Sequence, residues 1–335
     1  MLYPLIGSIA SGNCTVLKPS ELAPASSRLC TRLIQNTFEP NYISCIEGSA
    51  NTTQSLLGTG FDHIFFTGRD KAGRAVMEAA SKCLIPVTLE LGGKNPVIVE
   101  PDISISMAAK KIVWGKFINA GQTCLSPDYV LVNERVKKQL IEEMKKWLLK
   151  FYGNDASKNP DYGRIINENH FKRLLELLKG AKIVSGGKTS MENRYIAPTI
   201  IDDVKPDAKI MKEEIFGPLL PLIKYNDLKE AISYINKKSK PLCMYIFSKN
   251  KPSQEKILNN TSAGNVCIND TIIQHAVLSL PFGGVGKSGM GKYHGKASFD
   301  CFTNYKSVLK KSNIINSNLI YPPYKNKLSK IKKFV

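Results

Sequence analysis

Over the first ninety residues, short apolar runs alternate with stretches of helical spacing. Residues 14–17, 42–46, 63–66 and 87–91 read as strands, each a brief apolar run bounded by polar or turn-forming residues. Between them, residues 22–37, 51–58 and 72–83 carry helical spacing, the last entered through a loop from Gly68 to Gly73. Strands alternating with helices predict a parallel sheet covered on both faces, binding ligands at the carboxyl ends of its strands. A second region starts at Gly92-Gly93, with a helix over about 103–118. The clearest helix spans 134–152, where Val136, Leu140, Met144, Leu148 and Phe151 recur on one face. Phe171, Leu174, Leu175 and Leu178 repeat that pattern, and Gly180 stands where a helix end favours glycine. Strand–helix alternation continues to about residue 270, and past Phe282 the chain becomes glycine-rich and then lysine-rich.

The 335 residues are 43% hydrophobic and 22% charged, enough for one large α/β unit or two small domains, and too apolar for a disordered chain. No apolar run reaches the roughly 18–20 residues that a membrane-spanning helix requires. The first seven residues carry no basic n-region, which argues against a signal peptide. Eight scattered cysteines without metal-ligand spacing favour reduced thiols and a cytoplasmic setting, and no metal site. The formal net charge of +19 matters less than its placement. After Asp300 there is no acidic residue, and Lys306, Lys310, Lys311, Lys325, Lys327, Lys330, Lys332 and Lys333 follow. Such a run is most simply a solvated basic end; an anionic membrane surface on the cytosolic side is the sharper alternative. Basic and aromatic residues are not interleaved as a nucleic-acid groove requires.

Two glycine patterns carry no nucleotide chemistry. Gly284, Gly286 and Gly289 satisfy GxGxxG, but Pro281-Phe282 precedes them and no acid follows at the required distance. Gly68 to Gly73 has the gap of a phosphate loop, yet Arg74-Ala75 stands where Lys-Ser/Thr is needed. More informative is Asn119-Ala120-Gly121-Gln122-Thr123-Cys124, which sets a cysteine in a glycine-containing turn after a helix. Such a thiol can be exposed beside backbone N–H donors, although a lone cysteine is more often buried and inert. Thr88-Leu89-Glu90-Leu91-Gly92-Gly93-Lys94 puts a carboxylate at the end of an apolar strand, where desolvation raises its pKa and suits it to general-base work.

These stretches carry a resemblance to the aldehyde dehydrogenase superfamily, and within it to the class 3, fatty-aldehyde type. The colinear matches are Pro4-Leu5-Ile6-Gly7, Gly12-Asn13, Leu17-Lys18-Pro19-Ser20-Glu21, Phe66-Thr67-Gly68, Leu89 to Lys94, Gly121 to Cys124, Glu214-Ile215-Phe216-Gly217-Pro218 and Pro281-Phe282-Gly283-Gly284. Ser126 to Tyr129, Gly289-Met290-Gly291, His294-Gly295-Lys296 and Tyr321-Pro322-Pro323-Tyr324 favour class 3. The resemblance implies an α/β fold of two doubly wound, Rossmann-type domains with parallel sheets, plus a remnant oligomerisation arm. It implies a partial NAD(P)-binding domain over 1–91, a catalytic domain over 92–280, and a return segment, oligomerisation strand and basic tail over 281–335. It also implies oxidation of medium- to long-chain aldehydes to acids with NAD or NADP, by a homodimer.

The same resemblance assigns roles. Cys124 is the nucleophile, its own N–H half of the oxyanion hole, and Glu90 activates the hydrolytic water. Lys18 and Glu21 face the adenosine ribose; Gly68 and Gly73 let a helix N-terminus approach the pyrophosphate. Leu91 also lies on the cofactor side. Glu214 binds the nicotinamide ribose, Phe216 packs near the nicotinamide, and Asn269 lies by the catalytic pocket. Cys124 is expected to be the only one of the eight cysteines with an accessible, reactive thiol near a deep pocket.

Departures set the second expectation. Family members carry about a hundred further residues before the point matching Met1, including the Asn that completes the oxyanion hole. A His common five residues after the Asn269 position is here Gln274, with His275 next. The chain therefore reads as a fragment with weak dehydrogenase activity. The alternative is a non-catalytic remnant that serves as a binding or regulatory protein.

Overall fold

The computed structural model describes residues 1–312, 314, 318–325 and 327–333. Phe334-Val335, the end of the basic tail, lie outside the described residues. The chain divides into Met1–Phe302 and Thr303–Val335.

The first unit opens with α1 (Leu2–Ala10), β1 (Thr15–Leu17), α2 (Pro24–Thr37), β2 (Ile43–Cys45), α3 (Ala50–Leu57), β3 (Ile64–Thr67), α4 (Asp70–Ser81) and β4 (Val87–Glu90). The predicted alternation is present, and both strand pairs, β1–β2 and β3–β4, are parallel. They do not join into one sheet. Three-residue strands offer few ladder bonds, and each pair closes its own small core. Leu5, Leu17, Ile34, Ile43 and Cys45 pack around the first pair, and Val76, Leu89 and Leu91 around the second.

A mixed sheet of seven strands follows, in the order β13-β12-β5-β6-β11-β10-β7. Its strands are β5 (Pro96–Val99), β6 (Tyr129–Asn133), β7 (Lys182–Ser185), β10 (Thr199–Asp202), β11 (Leu219–Tyr225), β12 (Cys243–Phe247) and β13 (Asn265–Ile268). A small ribbon of β8 (Thr189–Ser190) and β9 (Tyr195–Ile196) interrupts the sequence order. Every neighbouring pair in the large sheet is parallel except β10–β7. All residues of β5, β6 and β12 are buried, the signature of strands covered on both faces.

Helices α5 (Ile105–Phe117), α6 (Glu134–Tyr152), α7 (Glu168–Leu178), α8 (Leu228–Asn236) and α9 (Lys251–Asn260) complete this core. Helix α6 has the predicted bounds and buries Val136, Leu140, Met144 and Leu148, with Ile141 and Tyr152 added. In α7 the fully buried positions are Phe171, Leu174 and Leu177, with Leu175 and Leu178 packed half-buried on the same core. Gly180 takes a φ of +71° just past that helix. The return segment forms β14 (Gly289–Met290), antiparallel to β4, and α10 (Gly295–Cys301). The GxGxxG run thus supplies a sheet edge: the Leu91 N–H donates to the Ser288 carbonyl at 3.0 Å.

In the second unit a short helix, α11 (Leu328–Ile331), lies within the basic tail, and its described residues form no strand. No helix among the described residues is long and apolar enough to cross a membrane.

Candidate active site

The site lies where the chain passes from the small sheet to the large one. β4 ends at Glu90, and Leu91 to Asn95 lead directly into β5. The carboxyl ends of β3 and β4 therefore face the amino starts of β5, β6, β11 and β12. The candidate site thus lies at the carboxyl ends of the small sheet's strands, and the cysteine loop enters at the amino ends of the large sheet's.

Helix α5 ends in a kinked 3₁₀ turn over Ile118–Gly121, in which Asn119 (φ +50°), Ala120 (+50°) and Gly121 (+72°) are all left-handed. Left-handed non-glycine residues cost about 1–3 kcal/mol each, so the surroundings must hold them. Gln122 does much of this. Its Nε2 donates to the carbonyls of Asn119 (3.1 Å) and Arg164 (2.9 Å), and its Oε1 accepts from the Ile166 N–H (2.9 Å). Gly121 is obligatory for a second reason, since a Cβ there would overlap the Gly217 carbonyl.

The loop then presents Cys124, where the nearby backbone N–H groups of Cys124 and Leu125 favour the charged sulfur. Burial, then the charges of Glu214 and Glu90, push the thiol up to about 12. Asn95 fixes the loop from below: its Nδ2 donates to the carbonyls of Cys124 (2.7 Å) and Ser126 (3.0 Å), and its Oδ1 accepts from the Cys243 N–H (2.9 Å). Cys124 is partly accessible, while Cys14 and Cys83 are more exposed. Both lie outside regular elements, at loop positions whose side chains have no core to enter.

Glu90 is 4% exposed, and neither carboxylate oxygen has a hydrogen-bond partner. Burial raises it to about 8, against a smaller opposing pull from Lys292. Lys292 itself donates to the carbonyls of Gly264 (3.0 Å) and Gly283 (2.5 Å). A Cβ at Gly283 would come within 2.8 Å of Glu90 Oε1, so the return segment closes over the carboxylate with bare backbone.

Glu214 is the third acid. Burial and Asp128 raise it to about 7, while the Gly93 N–H stabilises its charged form. A Cβ on Gly92 would overlap both Glu214 oxygens. The segment around Glu214 is clamped: Arg173 donates to the carbonyls of Glu214 (3.2 Å) and Ile215 (2.5 Å), and Asp128 Oδ1 accepts from the Ile215 N–H (2.8 Å). Lys94 pairs with Asp128 and donates to the Glu213 carbonyl (2.9 Å). Phe216 follows with φ +47°, an unfavourable conformation for an aromatic residue. Beneath the site, Lys116 is 1% exposed and burial lowers its ammonium to about 8.

The remaining expected residues fall in two groups. Lys18 and Glu21 pair at 3.0 Å after β1. Gly68 ends β3, its N–H donating to the Glu90 carbonyl (3.0 Å). Gly73 lies in the first turns of α4, where a Cβ would sit 2.7 Å from Leu91. Its bareness thus serves helix packing, and Leu91 is the side chain beneath. The first turn of α4 has no side-chain cap at Arg69, and Arg74 pairs with Asp70 at 3.0 Å. Asn269 stands apart: its Oδ1 accepts from the Ser248 N–H (3.0 Å) and its carbonyl from Lys111 (2.6 Å), tying β13 to β12. Sequence reasoning missed Asn95, Gly92 and Lys292. Gly92 lies inside the Leu89–Lys94 motif and Asn95 just after it, whereas Lys292 had no local signal.

The aldehyde dehydrogenase family description matches residues 2–308. The chain belongs to the aldehyde dehydrogenase family. It is 50% identical over 333 residues to the 4,4'-diaponeurosporen-aldehyde dehydrogenase of Staphylococcus aureus, covering 99% of this chain and 72% of the relative. It is 45% identical to the canine "Aldehyde dehydrogenase, dimeric NADP-preferring", covering 98% of this chain and 73% of that one. Among solved structures, the substrate-bound state of Staphylococcus aureus AldH superposes with a TM-score of 0.95 at 50% identity, covering 99% of this chain and 73% of that one. The enzyme is of the aldehyde dehydrogenase type, and its relatives agree with the class 3 resemblance.

Proposed function

We propose that the enzyme oxidises medium- to long-chain aliphatic aldehydes to carboxylic acids, with Cys124 as nucleophile and Glu90 as base. One observation carries the reading: a buried carboxylate whose oxygens have no hydrogen-bond partner, Glu90, bears electrostatically on the Cys124 thiol. A buried unpaired acid costs stability and persists where chemistry needs it. The diaponeurosporen-aldehyde named for the Staphylococcus relative supports an extended, apolar aldehyde.

The residues fit a nicotinamide dinucleotide. The uncapped first turn of α4 offers N–H groups and a positive dipole end to a diphosphate. Lys18 and Glu21 would hold the adenosine ribose, Gly68, Gly73 and Leu91 the diphosphate side, and Glu214 and Phe216 the nicotinamide end. When bound, the oxidised nicotinamide supplies the acceptor for the hydride that leaves the substrate carbon. The canine relative's name supports NADP, and NAD is the alternative the test resolves.

In the first half-reaction the Cys124 thiol gives its proton to ionised Glu90, and sulfur attacks the carbonyl carbon. The thiohemiacetal oxygen takes a backbone N–H of the cysteine loop. After hydride loss a thioester links Cys124 to the acyl group. Glu90 releases its first proton to solvent and then takes one from water, whose oxygen attacks the thioester, so that the sulfur leaves as thiolate and the acid is freed. The domain division at 91/92 and 280/281, a homodimer and a cytoplasmic location belong to the same reading. A membrane surface for the tail rests on its lysines alone. The test follows reduced nicotinamide formation across a series of straight-chain aldehydes, with NAD and NADP in parallel. Wild-type turnover that Cys124→Ser abolishes is expected; turnover retained by Cys124→Ser refutes the assignment.

A further inference from the structure

The reaction proposed above uses one cysteine, yet a second thiol lies directly behind it. Cys243 opens β12, is wholly buried, and has no part in the steps described. Asn95 joins the two residues: one side-chain amide donates to the Cys124 carbonyl at 2.7 Å and accepts from the Cys243 N–H at 2.9 Å. The two main chains are thus separated by the width of one amide and two hydrogen bonds. The strand geometry aims Cys243 toward the cysteine loop. Tyr245, two residues on and therefore on the same face, donates its hydroxyl to the Leu125 carbonyl at 2.5 Å. Gln274 Nε2 approaches Cys243 Sγ at 3.5 Å. A charge on Cys124 is felt at Cys243, which supports the proximity of the two sulfurs.

We propose that Cys243 is the resolving thiol of an oxidised Cys124, the pair forming a reversible disulfide behind the catalytic loop. The oxidant is a hydroperoxide. The Cys124 thiolate attacks the O–O bond, which breaks to give Cys124 sulfenic acid and, after protonation, water or an alcohol. Cys243 sulfur then attacks the sulfenic sulfur; the S–S bond forms, the S–O bond breaks, and hydroxide leaves with the Cys243 proton as water. The two thiols lose two electrons and the peroxide gains them. A soluble dithiol reverses the step by exchange. A disulfide requires the two Cα atoms within about 7 Å, and the cysteine loop supplies the adjustment once Asn95 releases the Cys124 carbonyl. The advantage is chemical: a sulfenic acid without a resolving partner proceeds to the sulfinic acid, which dithiols do not recover.

The experiment treats the reduced enzyme with hydrogen peroxide at mildly alkaline pH, blocks remaining thiols, and maps peptides by mass spectrometry without reduction. A peptide pair joined through Cys124 and Cys243 is expected, with both thiols recovered after dithiothreitol. Cys243→Ala should accumulate Cys124 sulfinic acid that dithiothreitol leaves unchanged. Cys301→Ala should keep the wild-type crosslink, although that thiol touches Thr88 and His63 at 3.1 and 3.7 Å. Equal iodoacetamide labelling of Cys124 in unoxidised wild type and Cys243→Ala checks that the loop is intact; Cys243→Ser replaces the alanine variant where it is not. Cys124 joined to another cysteine, or sulfinic acid forming equally in wild type and variant, overturns the proposal. The readout needs neither aldehyde nor cofactor, so its failure leaves the proposed oxidation untouched.

Discussion

Replacing Glu90 by Gln should make the enzyme more stable in alkali, and the size of the gain follows from the carboxylate's surroundings. The folded state holds this acid near 8, against an ordinary value of 4.5, because it is buried with neither oxygen paired. The sign is fixed by which state binds the proton. Below the ordinary value both states are protonated and the side chain contributes no difference. Between 4.5 and about 8 the unfolded chain ionises while the folded protein keeps its proton, so stability falls steadily with pH. At 1.36 kcal/mol per pH unit the accumulated loss is about 5 kcal/mol, an upper bound because water entry and Lys292 both ease the charge. Glutamine is isosteric and does not ionise, so Glu90→Gln escapes this loss. Urea unfolding of both proteins at about pH 5 and about pH 9 measures it. Near-equal stabilities in acid and an advantage of several kcal/mol for the variant in alkali are expected. Parallel pH profiles would refute the reasoning, because they require a Glu90 that ionises as freely folded as unfolded.

The same variant should release one reduced nicotinamide per site in a burst and then stall, since hydride departure precedes the step that needs an activated water; an unchanged steady rate removes Glu90 from hydrolysis. In the wild type, thioester hydrolysis should accelerate with pH through about 8 as Glu90 ionises, which single-turnover decay of an acyl-enzyme measures. Gly92→Ala should drive the Glu214 carboxylate off the Gly93 N–H. Displacing that carboxylate should weaken dinucleotide binding by about tenfold or more in a fluorescence titration. Iodoacetamide at neutral pH should label Cys14 and Cys83 before Cys124, because the first two are exposed and the third thiol is held up to about 12; labelling of Cys124 should rise steeply in alkali, and peptide mapping over time gives the order.

The sequence is informative wherever one period dominates. Helix α6 is bounded correctly because its apolar face repeats over nineteen residues between an Asn133 cap and Gly153. The short strands were found too, but their grouping was not, since a three-residue strand does not encode its neighbour. The chemistry of Glu90 was readable from its place at a strand end before two glycines. What could not be read was the depth of the acid's isolation, which arises from Gly283 and Lys292 closing over it from two hundred residues away. Asn269 shows the reverse. The resemblance puts it by the catalytic pocket, but its side-chain oxygen accepts from the Ser248 N–H. Cys243 had no local signal, and only the Asn95 amide reveals its neighbour.

The left-handed run from Asn119 to Gly121 constrains how this stretch can drift. Each of its three positions filters substitutions by a different rule. At 119 the backbone tolerates asparagine, aspartate or glycine, whose short or absent side chains suit φ above zero. At 120 the side chain is also buried, so only alanine or glycine is accommodated. At 121 both φ and the Gly217 carbonyl exclude everything but glycine. A saturation library across these codons should therefore return a vocabulary of a few tripeptides. Survivors would be selected for backbone conformation. Alignments would show this as an invariant motif next to the nucleophile, and the cause would be stereochemistry at the Cα atoms.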